Sequence, residues 1–331
     1  MALALSLAFG FFPMFLFAWF VYWLDHYEKE PRTLLGGLFF WGAVIAAGGA
    51  YLFNTFLGQG VYWLTESSAA TSFATGTLIA PVVEESLKGF AVLLVYLIFR
   101  REFDSIIDGI VYAGIVALGF AATENTLYIY RQGFLQDGYQ GLYTLAFIRV
   151  VIVGWQHPFY TAFTGIGFSI SRLSRQPAVK LATPILGWMG AVFAHSLHNT
   201  LASVPNQMTC IIGSLVDWSG WIFMLLFILW SVRHEQQLLA YHLSEEVALG
   251  VLTPSQYRAT CSVLSQGSVR LGSIFAGQYR DTRRFYQALG EIAHKKQHLA
   301  TLGEEEGNSE SITRLRQELV LLKDRVYPPS V

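Results

Sequence analysis

The sequence predicts an all-α fold, a polytopic membrane helix bundle of about seven transmembrane helices with a helical C-terminal tail. Composition is the first reason: hydrophobic residues make up 53% of the 331-residue chain and charged residues 14%, against roughly 45–50% and about 25% in soluble domains. The second is length, because apolar windows of about 20 residues, enough to cross about 30 Å of hydrocarbon, recur about seven times. The third is where polar groups fall. Glu84, Glu85, Glu124 and His157 sit inside these windows, and His195, His198 and Asn199 share another. A charge at the bilayer centre costs between roughly 3 and 15 kcal/mol, so several together mark a functional layer.

The windows lie near 3–24, 34–57, 72–99, 106–130, 143–171, 181–203 and 210–232. The first reads as a retained span, since Met1–Ser6 holds no basic residue and the apolar run outlasts a signal-peptide core. Loops on one side carry Lys29, Arg32, Arg100, Arg101, Arg172, Arg175 and Lys180, with Arg233 opening the tail, whereas the other side carries Arg131. Basic residues stay on the cytoplasmic side, so the N-terminus is expected outside and the tail in the cytoplasm of a plasma (inner) membrane protein. Cys210 and Cys261 then face opposite sides and are not expected to pair. A net charge of −1, with no basic patch interleaved with aromatics, gives no reason to expect nucleic acid.

From about residue 234 the composition turns charged and polar, which divides the chain into a membrane core, 1–232, and a cytoplasmic helical tail, 233–331. In the tail, Ile312, Leu315, Leu319, Leu322 and Val326 recur at spacings of three and four, as in a short coiled coil or a bundle helix. Two heptads are too few for a dimer, and a helix packed on the rest of the tail is the expectation. Gly303 to Ser309 reads as the loop before it. Oligomeric state is not legible.

In the third window, Ala80-Pro81-Val82-Val83-Glu84-Glu85-Ser86-Leu87-Lys88 interrupts an apolar helix. Glu84 and Lys88 are four apart and share a face, while Glu85 points elsewhere, so the lysine pairs one carboxylate and leaves another free to act. The alternative is a self-neutralising pair that serves packing alone, in which the adjacent carboxylate has no role. In the fourth window Glu124 follows a small-residue stretch from Ala113-Gly114 to Ala117 that admits a close neighbour. Asp108, near the cytoplasmic end, is within reach of water. In the fifth, His157 precedes Pro158, which frees a carbonyl one turn back; Arg149 either snorkels outward or binds a carboxylate. His195 and Asn199, four apart, share a face of the sixth, and His198 either joins them or points away. Asp217, in the last window, is expected to be structural. Membrane histidines commonly do no more than bond a neighbouring helix, but at 1.5 Å per residue from each cytoplasmic end, Glu84, Glu124, His157, His195 and Asn199 share one depth of roughly 20–28 Å.

This ordered set, E-E-x-x-K, then F-x-x-x-E-N, then a single His followed by Phe163-Thr164-Gly165, then H-x-x-x-N, resembles the PrsW group of intramembrane proteases. That group shares a superfamily with the CAAX prenyl proteases. The resemblance covers about residues 10 to 230, including Asp108-Gly109-Ile110-Val111-Tyr112 leading into Gly119-Phe120, and extends weakly to Ser244-Glu245-Glu246 and Leu252-Thr253-Pro254. Glu124 stands where CAAX proteases usually carry His, which favours the PrsW side, and His198 departs from the aromatic often found at its position. The resemblance implies hydrolysis of a peptide bond in a membrane-anchored protein, with release of anti-sigma factors as the kind of role. Glu84 and Glu85 match the catalytic carboxylates, one of them as general base. Glu124, His157 and His195 match the remaining polar positions and are the expected ligands if a divalent metal ion, zinc first, is held. Asn199 resembles an amide that helps hold an oxyanion.

Two routes to activated water stay open. Two histidines and a carboxylate leave a metal with an open position and a bound water of pKa about 7. Without metal, a buried carboxylate takes the proton while imidazole or amide donors stabilise the oxyanion. No H-E-x-x-H is present, which argues against tightly bound zinc. Other classes compete. A proton-coupled transporter would show paired repeats and broken helices in corresponding halves, and the sequence shows neither. A non-catalytic scaffold or sensor would keep the fold without the chemistry, yet every expected catalytic position is occupied.

Overall fold

The structure is a computed structural model that describes residues 1–24, 30–103, 105–204, 207–304 and 307–328. The chain divides into two compact units, the change falling between Leu226 and Phe227. In chain order the first unit comprises α1 (Ala2–Leu24), α2 (Arg32–Phe40), α3 (Ala47–Thr65), α4 (Ser68–Ala74), α5 (Ala80–Ile98), α6 (Ile106–Tyr128), α7 (Leu135–Phe147), α8 (Gln156–Leu173) and α9 (Pro177–Ser203). Short π-helical stretches join several of these end to end, at Trp41–Ala46, Thr75–Ile79 and Ile129–Phe134, and another, Ile148–Ile152, extends α7. α10 (Gln207–Ala248) runs unbroken through the end of the last apolar window. Among the described residues there is no strand, as the all-α reading requires.

Among the described residues, four helical stretches are long and apolar enough to cross a membrane: Ala2–Tyr22, Arg32–Thr65, Ile106–Leu173 and Pro177–Ser203. The third of these contains both the fourth and fifth expected windows. It reverses at Asp137 and Gly138, the latter at φ 61°, where a side chain would be strained. The expected 72–99 window is helical too, as α4, a π-helical turn and α5, but carries Glu84, Glu85 and Lys88.

α6 is the axis of this unit. Its sequence is apolar and small on every face, the pattern of a helix enclosed by others, and every residue from Val111 to Ala122 is buried. α1, α2 and α8 pack around it. A Cβ on Gly109 would lie 2.3 Å from Gly165 O, and one on Gly165 would lie 2.0 Å from Gly109 O, so two glycines set the approach of α6 to α8. Asp108 departs from the expectation that it meets water. It is 5% exposed and closes a capping box, accepting from Ser105 N at 2.6 Å while Ser105 Oγ accepts from Asp108 N at 3.2 Å. It thereby satisfies donors that no preceding turn reaches.

The second unit continues from α10 into α11 (Pro254–Thr260), α12 (Val263–Phe275), α13 (Tyr279–Leu302) and α14 (Asn308–Leu322). Leu315, Leu319 and Val326 enter one core with Leu239, Leu243, Phe285, Tyr286 and Ile292. The heptad-like run is therefore a bundle helix packed on its own unit. Its preceding loop begins at Gly303, φ 85°, and ends at Gly307, φ 81°. The side chains of Cys210 and Asp217 lie outside the described residues.

Candidate active site

Four helices bring the polar groups together: α5 carries Glu84, Glu85 and Lys88, α6 carries Glu124, α8 carries His157, and α9 carries His195. Glu85 and Lys88 are 0% exposed, His195 3% and Glu84 6%. Charges so deep persist only when paired.

Glu85 is the fully partnered carboxylate. Lys88 Nζ donates to its Oε1 at 2.7 Å, His195 Nδ1 to the same oxygen at 2.9 Å, and Thr161 Oγ1 to Oε2 at 2.8 Å. Lys88 therefore pairs most closely with the residue three before it, while Glu84 Oε2, four before it, is 3.9 Å away. Both spacings lie on one face of a helix, and α8 and α9 decide between them by surrounding Glu85 with donors. Glu84 Oε2 is buried and accepts no hydrogen bond among the described residues.

A carboxylate only accepts hydrogen bonds, so the imidazole nitrogen facing one carries the proton. On His195 that nitrogen is Nδ1, facing Glu85, which leaves the Nε2 lone pair 3.9 Å from Glu84 Oε2. On His157 it is Nε2, 2.7 Å from Glu124 Oε2, which leaves Nδ1 to accept from Lys88 Nζ at 3.2 Å. Each histidine is thus oriented by a carboxylate behind it, the arrangement of metal-ligating imidazoles. Ligand atoms of Glu84, His157 and His195 all lie within 4.8 Å of one another. The expected trio had Glu124 as its acid; in the group that converges, Glu84 takes that place. Glu124 is held instead by Arg149, whose Nη2 donates to Glu124 Oε2 and whose Nε donates to Asn125 Oδ1 at 2.7 Å. Of the two readings left open for Arg149, its pairing with Glu124 bears out binding a carboxylate; the guanidinium also stands 4.0 Å over the Tyr128 ring.

The helix start at Gln156 explains how His157 is aimed. α8 begins after a non-helical break at Val153–Trp155, so Pro158 lies in a first turn where a missing N–H leaves little unsatisfied. The freed carbonyl expected one turn back falls in that break. A void of about 10 Å³, close to the volume that admits one water, borders Asn125, Arg149, Gln156 and His157. The Tyr160 ring stacks on His195 at 4.9 Å, and Phe120 lies 4.2 Å from Lys88 Nζ.

Two expected residues stand apart from this cluster. His198 Nδ1 accepts from Gln156 Nε2 at 3.2 Å. Asn199 Nδ2 donates to Gly76 O at 2.8 Å. That carbonyl lacks a helical donor, because Ala80 N–H turns to Thr75 O in the π-helical stretch and Pro81 has no N–H. Sequence reasoning missed Thr161 and Tyr160, although both lie within one turn of His157 on α8, the spacing that shares its face.

A family model described as PrsW family intramembrane metalloprotease matches residues 30–231, more than half of the chain. Protease PrsW of Geobacillus kaustophilus is 33% identical over 114 residues, 34% of this chain and 47% of that protein. Protease PrsW of Bacillus subtilis is 33% identical over 114 residues, covering 34% and 49%, and that of Oceanobacillus iheyensis 27% over 131 residues, covering 40% and 55%. The chain spans about half the length of the curated relatives it matches. No solved structure matches. With the ordered motifs, the enclosed helix bundle and the family match in agreement, this chain belongs to the PrsW family of intramembrane metalloproteases.

Proposed function

We propose that this protein is an intramembrane endopeptidase that hydrolyses a peptide bond in a membrane-anchored protein, such as an anti-sigma factor in a site-1-type cleavage. The observation that carries the reading is Glu84: a buried carboxylate oxygen with no hydrogen bond, facing a histidine lone pair. Glu85 has no such freedom, since three donors occupy it. Glu84 is therefore the reactive carboxylate. It takes a proton from water as the water oxygen attacks the carbonyl carbon, and returns it to the amine nitrogen as the C–N bond breaks.

The residues fit a divalent metal. Glu84, His157 Nδ1 and His195 Nε2 would hold it, with Glu85 and Glu124 as the carboxylates behind the two imidazoles; zinc suits the donor set. Bound there, a metal would polarise the carbonyl and lower the pKa of water to about 7. Lys88 would give up its bond to His157 and keep the one to Glu85. Glu124 and Arg149 position His157. Asn199 acts on the position of the Thr75–Ile79 turn that leads into α5, which is its part in holding the site in register.

Seven spans, residues 1–232 as protease core and 233–331 as tail complete the proposal, with the N-terminus outside and the tail in the cytoplasm of the plasma (inner) membrane. Cleavage of single-span anti-sigma factors from the same genome tests it, using wild type, Glu84→Gln, Glu85→Gln and His195→Ala, each checked for folding in detergent. Loss of cleavage in folded Glu84→Gln is the expected result. Processing that persists unchanged in all three variants would overturn the assignment. Metal content of the purified protein, read before and after His195→Ala, decides between the two routes.

A further inference from the structure

Away from the carboxylates, the first unit holds a groove of about 630 Å³ between the second half of α3 and the run from α4 into the Thr75–Ile79 turn. Of its ten lining residues, eight carry a hydroxyl or a carboxamide, two are glycines, and none is charged or aliphatic. The same helices turn Phe53, Phe56, Trp63 and Phe73 outward, each at least half exposed. Neutral hydrogen-bonding groups are thus gathered in one recess of a surface that is otherwise built for lipid. Two of them, Asn54 Oδ1 and Thr75 Oγ1, are shielded from solvent and make no hydrogen bond among the described residues. Gly58 keeps the recess open, since a Cβ there would stand 2.9 Å from Thr75 Oγ1.

The groove is linked to the helix that carries His195 by one hydrogen bond. Gly76 lines it, and the Gly76 carbonyl accepts from Asn199, one turn along α9 from His195. Thr75 precedes Glu84 by nine residues on one uninterrupted helical run, about 14 Å along the axis.

We propose that this groove docks an uncoiled segment of the membrane-anchored substrate through its backbone. The inference rests on the endopeptidase reading and adds where the polypeptide lies. A peptide bond inside a helix is shielded from attack, and uncoiling it out of reach of water leaves N–H and C=O groups that cost free energy unless satisfied. Hydroxyls and carboxamides donate and accept, so they satisfy both groups of a backbone without selecting a charged side chain. A phospholipid headgroup would call for Lys or Arg, and the groove has neither. An extended chain advances about 3.4 Å per residue, so the residue seated against Thr75 lies about four positions from the scissile bond.

The test uses the full chain and an anti-sigma factor that wild type cleaves. Ser72, exposed on the groove wall, is replaced by a photoreactive benzoylphenylalanine in the Glu84→Gln background. Ser72 lies twelve residues before Glu84, about 18 Å along the axis, so the expected crosslink falls on a substrate residue about five from the cleavage site. In the active protein, Ser72→Leu and Asn54→Leu are expected to raise KM about tenfold with kcat within about twofold, the signature of lost binding alone. Thermal unfolding in detergent confirms that both variants fold. Unchanged KM in folded variants, or crosslinks to lipid alone in vesicles, overturns the groove and leaves the endopeptidase reading standing. Crosslinks from Ser72 to the anti-sigma factor, with cleavage undiminished in Glu84→Gln, Glu85→Gln and His195→Ala, keep the groove and overturn the endopeptidase reading.

Discussion

Glu84 and Glu85 are neighbours in sequence with opposite surroundings, and their substitutions should separate accordingly. Glu84→Gln removes no hydrogen bond, so the protein should fold normally and lose a factor of about 10³ in kcat, the worth of a general base. Glu85→Gln leaves Lys88 buried beside an amide, and breaking a buried pair in this way costs about 3 kcal/mol, so unfolding in detergent should move first and activity with it. A folded, fully stable Glu85→Gln that has lost cleavage would reverse these roles. Arg149→Met should cost less, about 2 kcal/mol, because Glu124 is partly exposed and keeps its bond to His157. Arg149→Lys should rescue only part of that, because one ammonium does not reproduce the two guanidinium contacts with Glu124 and Asn125. The identity of these residues was legible from their position in apolar windows. Their division of labour was not, because i+3 and i+4 neighbours look alike on a helix until other helices supply donors.

At the scale of elements, Pro81 and Asn199 form a testable pair. Pro81 denies Gly76 a donor and Asn199 supplies one from α9. Asn199→Ala alone should cost about 1 kcal/mol, the net worth of one hydrogen bond to a half-buried carbonyl. In a Pro81→Ala background the restored N–H should satisfy that demand, giving a coupling of about 1 kcal/mol in a double-mutant cycle. Additive costs would remove Asn199 from this role. The helices themselves were readable from apolar periodicity and length, but their joints were not. π-helical turns join α2 to α3 and α4 to α5, and a break interrupts the fifth window before Gln156. Such joints arise from local competition for backbone donors, which a hydropathy window averages away.

For the whole molecule, the two units rest on different forces. Apolar and small side chains enclose α6 in the first, whereas the second adds ion pairs at its surface. There, hydrogen bonds from Arg284 hold the Glu318 carboxyl below its usual range, and Lys296 does the same for Glu245. A carboxyl lowered on folding stabilises at pH above its unfolded value, about 4.3, and loses that contribution as pH falls through the folded value. The contribution of these carboxyls to unfolding of the tail in the full chain, followed by a probe on Cys261, should therefore be lost below about pH 4. Constant stability down to about pH 3 would sink the assignment. The sequence by itself determined the class of the protein, since hydrophobic content, span length and the order of motifs are local properties of the chain. It also gave reason to expect the polar groups at one level, because helix rise converts residue count into distance. Only the tertiary structure decided which carboxylate is free, which nitrogen of each histidine is protonated and which three residues converge. Those are set by contacts between α5, α6, α8 and α9, helices whose relative rotation no single-chain periodicity specifies.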